Sequence, residues 1–267
     1  MTEILEGFDS RYWDGYLPPY LAKRFKFVGI KASQGKAWEP HDRKTLQYQW
    51  ARAKDPYGLL RTPFHFWKSP VSWEDPESNG IAQAENFLRT MEKKNGGDLG
   101  ELKPTVDVED RWVGMASAKR RALSVYHCLL KTEELWGEVP MIYTATWYWD
   151  GWGIHNEFVK LCPEYWKKYK LWEGDPAPDT IISGWGDNTN TTILQVVLDT
   201  YMNNFNTKID LNETTPEKLE TVKIGSTSTL PDPKPEPPEQ SCANCDDLKE
   251  AAEKVVIAAK DLEVALG

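Results

Sequence analysis

The chain has 267 residues, 40% of them hydrophobic and 27% charged, which is enough for one large self-sufficient core and excludes wholesale disorder. No apolar run approaches the roughly 18–20 residues that span a bilayer, so no membrane partner is expected. A net charge of −9, from 41 Asp and Glu against 32 Lys and Arg, argues against a nucleic-acid partner, because such a surface repels polyanions.

Met1–Glu6 carries neither a basic nor an apolar region, so no secretory signal is expected. A first β-rich run at Glu3–Asp9 leads to Lys26–Ala32 (KFVGIKA), which mixes β-branched and aromatic residues as a buried strand does. A helical candidate at Asp42–Lys54 precedes a strand at Leu59–Trp67, and another at Asn79–Lys93 precedes Lys103–Glu109. Ala116–Trp136 reads as a helix, Pro140–Ala145 as a strand and His155–Leu161 as a helix. Tyr169–Glu173, Thr192–Leu198 and Thr207–Leu211 close the series as short strands. Such alternation predicts parallel strands with helices outside, and both a closed α/β barrel and an open doubly wound sheet fit it. No GxGxxG follows the first strand and no GxxxxGK[ST] occurs, which removes support from the nucleotide-binding open sheets. No cofactor is expected.

The composition changes near residue 225, which divides the chain into a domain at 1–224, a linker at 225–243 rich in Pro, Ser and Thr, and a helix at 244–267. In that helix Leu248, Ala252, Val255, Ala259, Leu262 and Leu266 form a heptad stripe. The stripe suits a short coiled coil for self-association or for docking on a larger assembly; a helix packed on the main domain is the simpler alternative. Cys242 and Cys245 form a lone CxxC, with Cys128 and Cys162 far upstream, so a free or bridged pair is expected and a metal site is not. HExxH and GxSxG are both absent, which disfavours a zinc peptidase and an α/β-hydrolase.

Two features bear on chemistry. The chain has 13 Trp, 11 Tyr and 8 Phe, and flat aromatic faces with a polar edge suit sugar stacking, although a Trp-rich core explains them equally well. In Pro104-Thr105-Val106-Asp107-Val108-Glu109, strand alternation puts Asp107 and Glu109 on one face and the two Val on the other. Neighbouring carboxylates repel when both ionise, so one is expected to hold a proton near neutral pH, as a general acid for glycosidic cleavage must. Asp9, Lys31, His65, Tyr143 and Asp210 likewise interrupt apolar strand ends. In a barrel those ends meet at one mouth.

The residues GFDSRY, FVGIKASQG, PFHFW, QAENF, PTVDVE, PMIYT, LWEGDP, LQV and IDLN, in that order from Gly7 to Asn212, resemble the glycoside hydrolase family 25 (Chalaropsis-type) lysozymes, to which many phage endolysins belong. The resemblance implies an irregular TIM-like (β/α) barrel and retaining cleavage of the β-1,4 bond between N-acetylmuramic acid and N-acetylglucosamine in peptidoglycan. It implies Glu109 as general acid/base. Asp107 would then assist the 2-acetamido group or stabilise positive charge, with Asp9 and Asp210 at the sugar ring being cleaved. Lys31, His65, Trp67, Tyr143 and Trp172 would bind substrate. The chain departs from the family at Gln34, where Glu is usual, and around Glu173 and Val196. An endolysin acting from the host cytoplasm, or a virion-borne lysin, is the expected setting. A chitinase-like glycosidase and a non-catalytic sugar-binding or virion structural protein are the alternatives.

Overall fold

The computed structural model describes residues 2–10, 21–37, 43–110, 116–175, 181–186, 191–201 and 208–225. The chain divides into two units, Met1–Ser228 and Thr229–Gly267, and every described residue belongs to the first. The linker beyond its first residue, the helix at 244–267 with its heptad stripe, and Cys242 and Cys245 lie outside the described residues.

Eight strands close into a barrel in chain order: β1 (Leu5–Ser10), β2 (Phe27–Gln34), β3 (Leu60–Phe66), β4 (Thr105–Asp107), β5 (Met141–Thr144), β6 (Leu171–Glu173), β7 (Thr191–Tyr201) and β8 (Lys208–Thr214). Neighbours from β1 to β7 run parallel. The expectation of an all-parallel sheet fails at β8, which is antiparallel to both β7 and β1. The reason is chain length. Only six residues separate Tyr201 from Lys208, whereas a parallel return needs a crossover of about a dozen or more.

The long helices follow the strands they cover. α1 (Leu21–Arg24) and α2 (Arg43–Lys54) come first, then α3 (Pro76–Asn95) and α4 (Ala118–Trp136). α3 starts earlier than its apolar period suggests because Asp75 caps it, accepting the Ser78 N–H at 2.8 Å, and Pro76 fits the first turn. It stops at Gly96, whose φ of 65° is left-handed. α3 and α4 pack very closely at Gly80, where a Cβ would lie 2.2 Å from the Ser124 carbonyl. α5 (Thr146–Trp149), α6 (Ile154–Leu161) and α7 (Tyr165–Lys168) fill the β5–β6 connection, and α8 (Pro216–Glu220) follows β8.

Most of the described indoles are core. Trp67, Trp149 and Trp185 pack between helices and barrel, and Trp50 and Trp136 do so on the other flank. Inside the barrel lie Phe27, Met141, Trp172 and Ile193, joined by Leu102, Leu219 and Val222. Leu219 of α8 and Val222 just after it close the end where the strands begin. Above that plug the barrel opens into a cavity.

One buried cation holds β3 to the outside. Arg61 is fully buried and stacks on Trp50 at 4.6 Å. Its guanidinium donates to both oxygens of Asp98, each at 2.9 Å, and to Glu101 at 2.6 and 2.9 Å. Burial disfavours its charge, but the bonds and charges of Glu101 and Asp98 outweigh that and raise its pKa.

Candidate active site

The cavity of about 200 Å³ sits at the C-terminal ends of the strands, where barrel sites form. β4 and the residues just after it supply two of its four acids. Thr105, Asp107 and Glu109 all line it, while Val106 and Val108 are fully buried in the outer core. The backbone keeps this alternation beyond the strand proper: Trp67 N–H bonds the Asp107 carbonyl at 2.9 Å, and Val108 N–H bonds that of Tyr143 at 2.8 Å.

Asp9 and Asp210 are register partners across the β1–β8 ladder and both face the same cavity. Asp9 is held by two amides. Asn212 Nδ2 donates to its Oδ2 at 3.0 Å and Gln195 Nε2 at 3.3 Å. Each amide is itself oriented: Trp172 Nε1 donates to Asn212 Oδ1, and the Tyr143 hydroxyl to Gln195 Oε1, both at 2.9 Å. Trp172 fits because β2 has glycine beside it; a Cβ on Gly29 would lie 2.4 Å from the indole. Burial, and after it the charges of Glu109, Asp107, Asp9 and Asp210, lift the Tyr143 pKa well above the ordinary phenol value. Tyr143 therefore stays a neutral donor, and the four carboxylates that act on it share one small space.

The wall opposite is aromatic and basic. Phe64 and Phe66 line the cavity with Lys31. The Lys31 ammonium lies 4.3 Å from the Phe66 ring centre and donates to Gln34 Oε1 at 2.9 Å. Among the described residues no group of three or more His, Cys, Asp or Glu is arranged to hold a metal ion.

Seven of the nine residues singled out in the sequence come together here: Asp9, Lys31, Asp107, Glu109, Tyr143, Trp172 and Asp210. His65 and Trp67 do not, which corrects their expected substrate contact. On β3 the side chains of Phe64 and Phe66 point inward, so residues 65 and 67 point outward. His65 is fully buried and stacks on Phe87 of α3. Trp67 is fully buried against α4, its Nε1 donating to Ser124 Oγ at 3.1 Å. Sequence reasoning passed over Phe64, Phe66 and Thr105 as lining residues, and over Gln195 and Asn212 as clamps on Asp9. The alternation of Phe around His65 is the signal that identifies the two rings.

The His65 environment fixes its tautomer. Gln83 uses its Nε2 to donate to the Lys68 carbonyl and to Asn79 Oδ1. Its Oε1 therefore accepts from His65 Nε2–H, which leaves Nδ1 to accept the Ser33 hydroxyl at 2.7 Å. Burial pushes the His65 pKa from 6.5 to about 3, and the Lys31 charge adds to the effect. The unfolded chain thus takes up this proton at higher pH than the folded one. The His65 contribution to stability is complete above about pH 6.5 and is lost as pH falls toward about 3, with a slope approaching 1.4 kcal/mol per pH unit. Urea midpoints measured from pH 7 down to about 4 are expected to fall less steeply in His65→Gln than in the parent; identical slopes would contradict a neutral buried imidazole.

A family model described as glycosyl hydrolases family 25 matches residues 20–189. Among curated proteins no sequence matches the chain. Among solved structures the fold is similar to the spore cortex lytic enzyme SleM of Clostridium perfringens, with a TM-score of 0.67 and 19% identity over 82% of this chain and 69% of that one. The lysozyme of Streptomyces coelicolor superimposes with a TM-score of 0.60 and 18% identity, covering 85% of this chain and 100% of its own. The catalytic domain of the endolysin ply40 from bacteriophage P40 of Listeria monocytogenes does so with a TM-score of 0.58 and 14% identity, over 82% and 97%. At these identities the structures establish the shared barrel, and the family match carries the chemistry.

Proposed function

The chain belongs to the glycosyl hydrolases of family 25, and from that premise we propose that it is a peptidoglycan hydrolase, an N-acetylmuramidase with Glu109 as its general acid and base. Membership makes it a glycoside hydrolase. The assignment of the chemistry to this cavity rests on one observation, that Asp107 and Glu109 face a single cavity that also holds Asp9, Asp210, Tyr143 and Trp172, and the choice of peptidoglycan rests on the family match. Lysozymes and lytic enzymes on the same barrel add support.

The chemistry follows from the arrangement. Protonated Glu109 donates to the glycosidic oxygen as the bond to the ring carbon breaks. Positive charge builds on the ring, and the nearby carboxylates Asp107, Asp9 and Asp210 favour that charge electrostatically. Water then adds to the ring carbon, and its proton returns to Glu109. Lys31 is a hydrogen-bond donor suited to sugar hydroxyl or acetamido oxygens, the Tyr143 hydroxyl, its proton held by Gln195, can accept from a sugar hydroxyl, and Trp172 offers an apolar surface. In the same reading the protein is an endolysin or virion-borne lysin that reaches the wall from the host cytoplasm or from the particle, and residues 244–266 serve self-association or docking.

Purified cell walls are the test. The protein is expected to clear a suspension of walls and release soluble muropeptides, and to act poorly on chitin. Clearing of chitin alone would replace this reading with the chitinase-like one, and no product from either polymer would remove catalysis.

A further inference from the structure

Trp73 is 80% exposed, in a chain whose other described indoles are buried or half-buried. Its loop is not loose. Gln83 accepts the Lys68 N–H at 2.7 Å and donates to the Lys68 carbonyl at 2.8 Å, and buried Asp110 takes the Lys68 ammonium at 2.8 Å and the Ser69 N–H at 2.9 Å. Beside the indole, Glu74 pairs with Lys36 and accepts from Asn79 Nδ2 at 2.9 Å, while its carbonyl accepts from Arg120. A tightly held loop thus presents a large apolar face to solvent, with Glu74 beside it paired to Lys36.

The position is informative. The loop leaves the C-terminal end of β3 and enters α3, so it stands at the same barrel end as the cavity. Asp110, which anchors it, follows Glu109 in the chain. Across the ring of eight strands, β7 lies opposite β3. Just past the clamp residue Gln195, β7 exposes Val197 and Leu198. Apolar surface therefore flanks the mouth on two opposite sides.

We propose that Trp73 is a sugar-stacking platform outside the cleavage cavity, bearing on a unit of the polysaccharide as the strand runs out over the β3 side of the mouth. This rests on the reading of the chain as a wall-glycan hydrolase. A cavity that holds one scissile linkage must let a polymer leave on both sides. The rim it crosses needs a surface for a sugar ring with an apolar C–H face, and an indole 80% exposed on a fixed loop supplies one.

The test uses the full chain carrying Glu109→Gln, so that binding is read without turnover, sedimented with purified peptidoglycan. Adding Trp73→Ala is expected to raise the apparent Kd about tenfold, and Trp73→Phe to restore it to within about threefold of the parent. In the active chain, Trp73→Ala is expected to raise KM for wall cleavage by a similar factor and to change kcat by less than about twofold. Ile4→Ser, which removes an exposed apolar side chain just before β1 at the other barrel end, is the control. Unchanged binding in Trp73→Ala, or an equal loss in Ile4→Ser, would overturn the platform. If the active parent cleaves walls in that case, the functional reading survives alone. If the parent neither binds nor cleaves walls, both fall.

Discussion

Glu109→Gln is expected to abolish the release of soluble fragments from cell walls while the protein still folds. Glutamine keeps the shape of the side chain and its place on the cavity wall but can neither give up a proton nor take one back. A positioned acid–base group contributes about 10²–10⁴-fold, and Glu109 is asked to act twice, so a loss of about 10³-fold or more in kcat is expected with little change in wall binding. Asp107→Asn removes a charge that favours the cationic ring without removing the proton donor, and a smaller loss is expected. Initial rates of wall clearing, with thermal midpoints measured alongside, check both. Activity near the parent level in a well-folded Glu109→Gln chain would take Glu109 out of its role.

The second large effect is on stability and lies away from the cavity. Arg61→Met is expected to destabilise the fold by about 3 kcal/mol, the lower end of the ~3–5 kcal/mol that follows removal of one partner from a buried ion pair. The lower end applies because Asp98 and Glu101 are each about one-third exposed, at 34% and 33%, and can recover water when the guanidinium is gone. The lost stacking on Trp50 and the lost bond to its carbonyl add to the cost. Arg61→Lys keeps the charge without the planar fork that bonds both carboxylates, and an intermediate loss is expected. For a domain of this size, 3 kcal/mol lowers Tm by roughly 6–12 °C, which a calorimetric scan resolves. A shift of less than about 2 °C would show that the cluster is a solvated surface network.

The same network shows what the sequence could and could not convey. Arg61 sits between Leu60 and Thr62 in a strand whose outer face is covered by helices, so both faces are buried and the apolar pattern does not distinguish inside from outside. That is why the sequence points His65 and Trp67 to the mouth although they face α3 and α4. Asp107 and Glu109 escaped the ambiguity because valines alternate with them, and two carboxylates flanked by Val have only one side on which to meet water. All eight strands were legible from their β-branched and aromatic runs. The direction of β8 was not, because it follows from the length of a connection and not from any residue in the strand. The amide clamps were invisible for a related reason: Gln195 and Asn212 meet Asp9 only because β7 and β8 close the ring onto β1, and closure is a property of the whole sheet. Gln34, where the family usually has Glu, is an acceptor for Lys31.

The identity of the sugar left at the new reducing end bears on all of this at once. Walls digested by the parent chain, reduced with borohydride and examined by mass spectrometry, are expected to carry the alcohol of N-acetylmuramic acid. The alcohol of N-acetylglucosamine, or fragments released with no newly reduced sugar, would contradict the assignment of this cavity to muramidase chemistry.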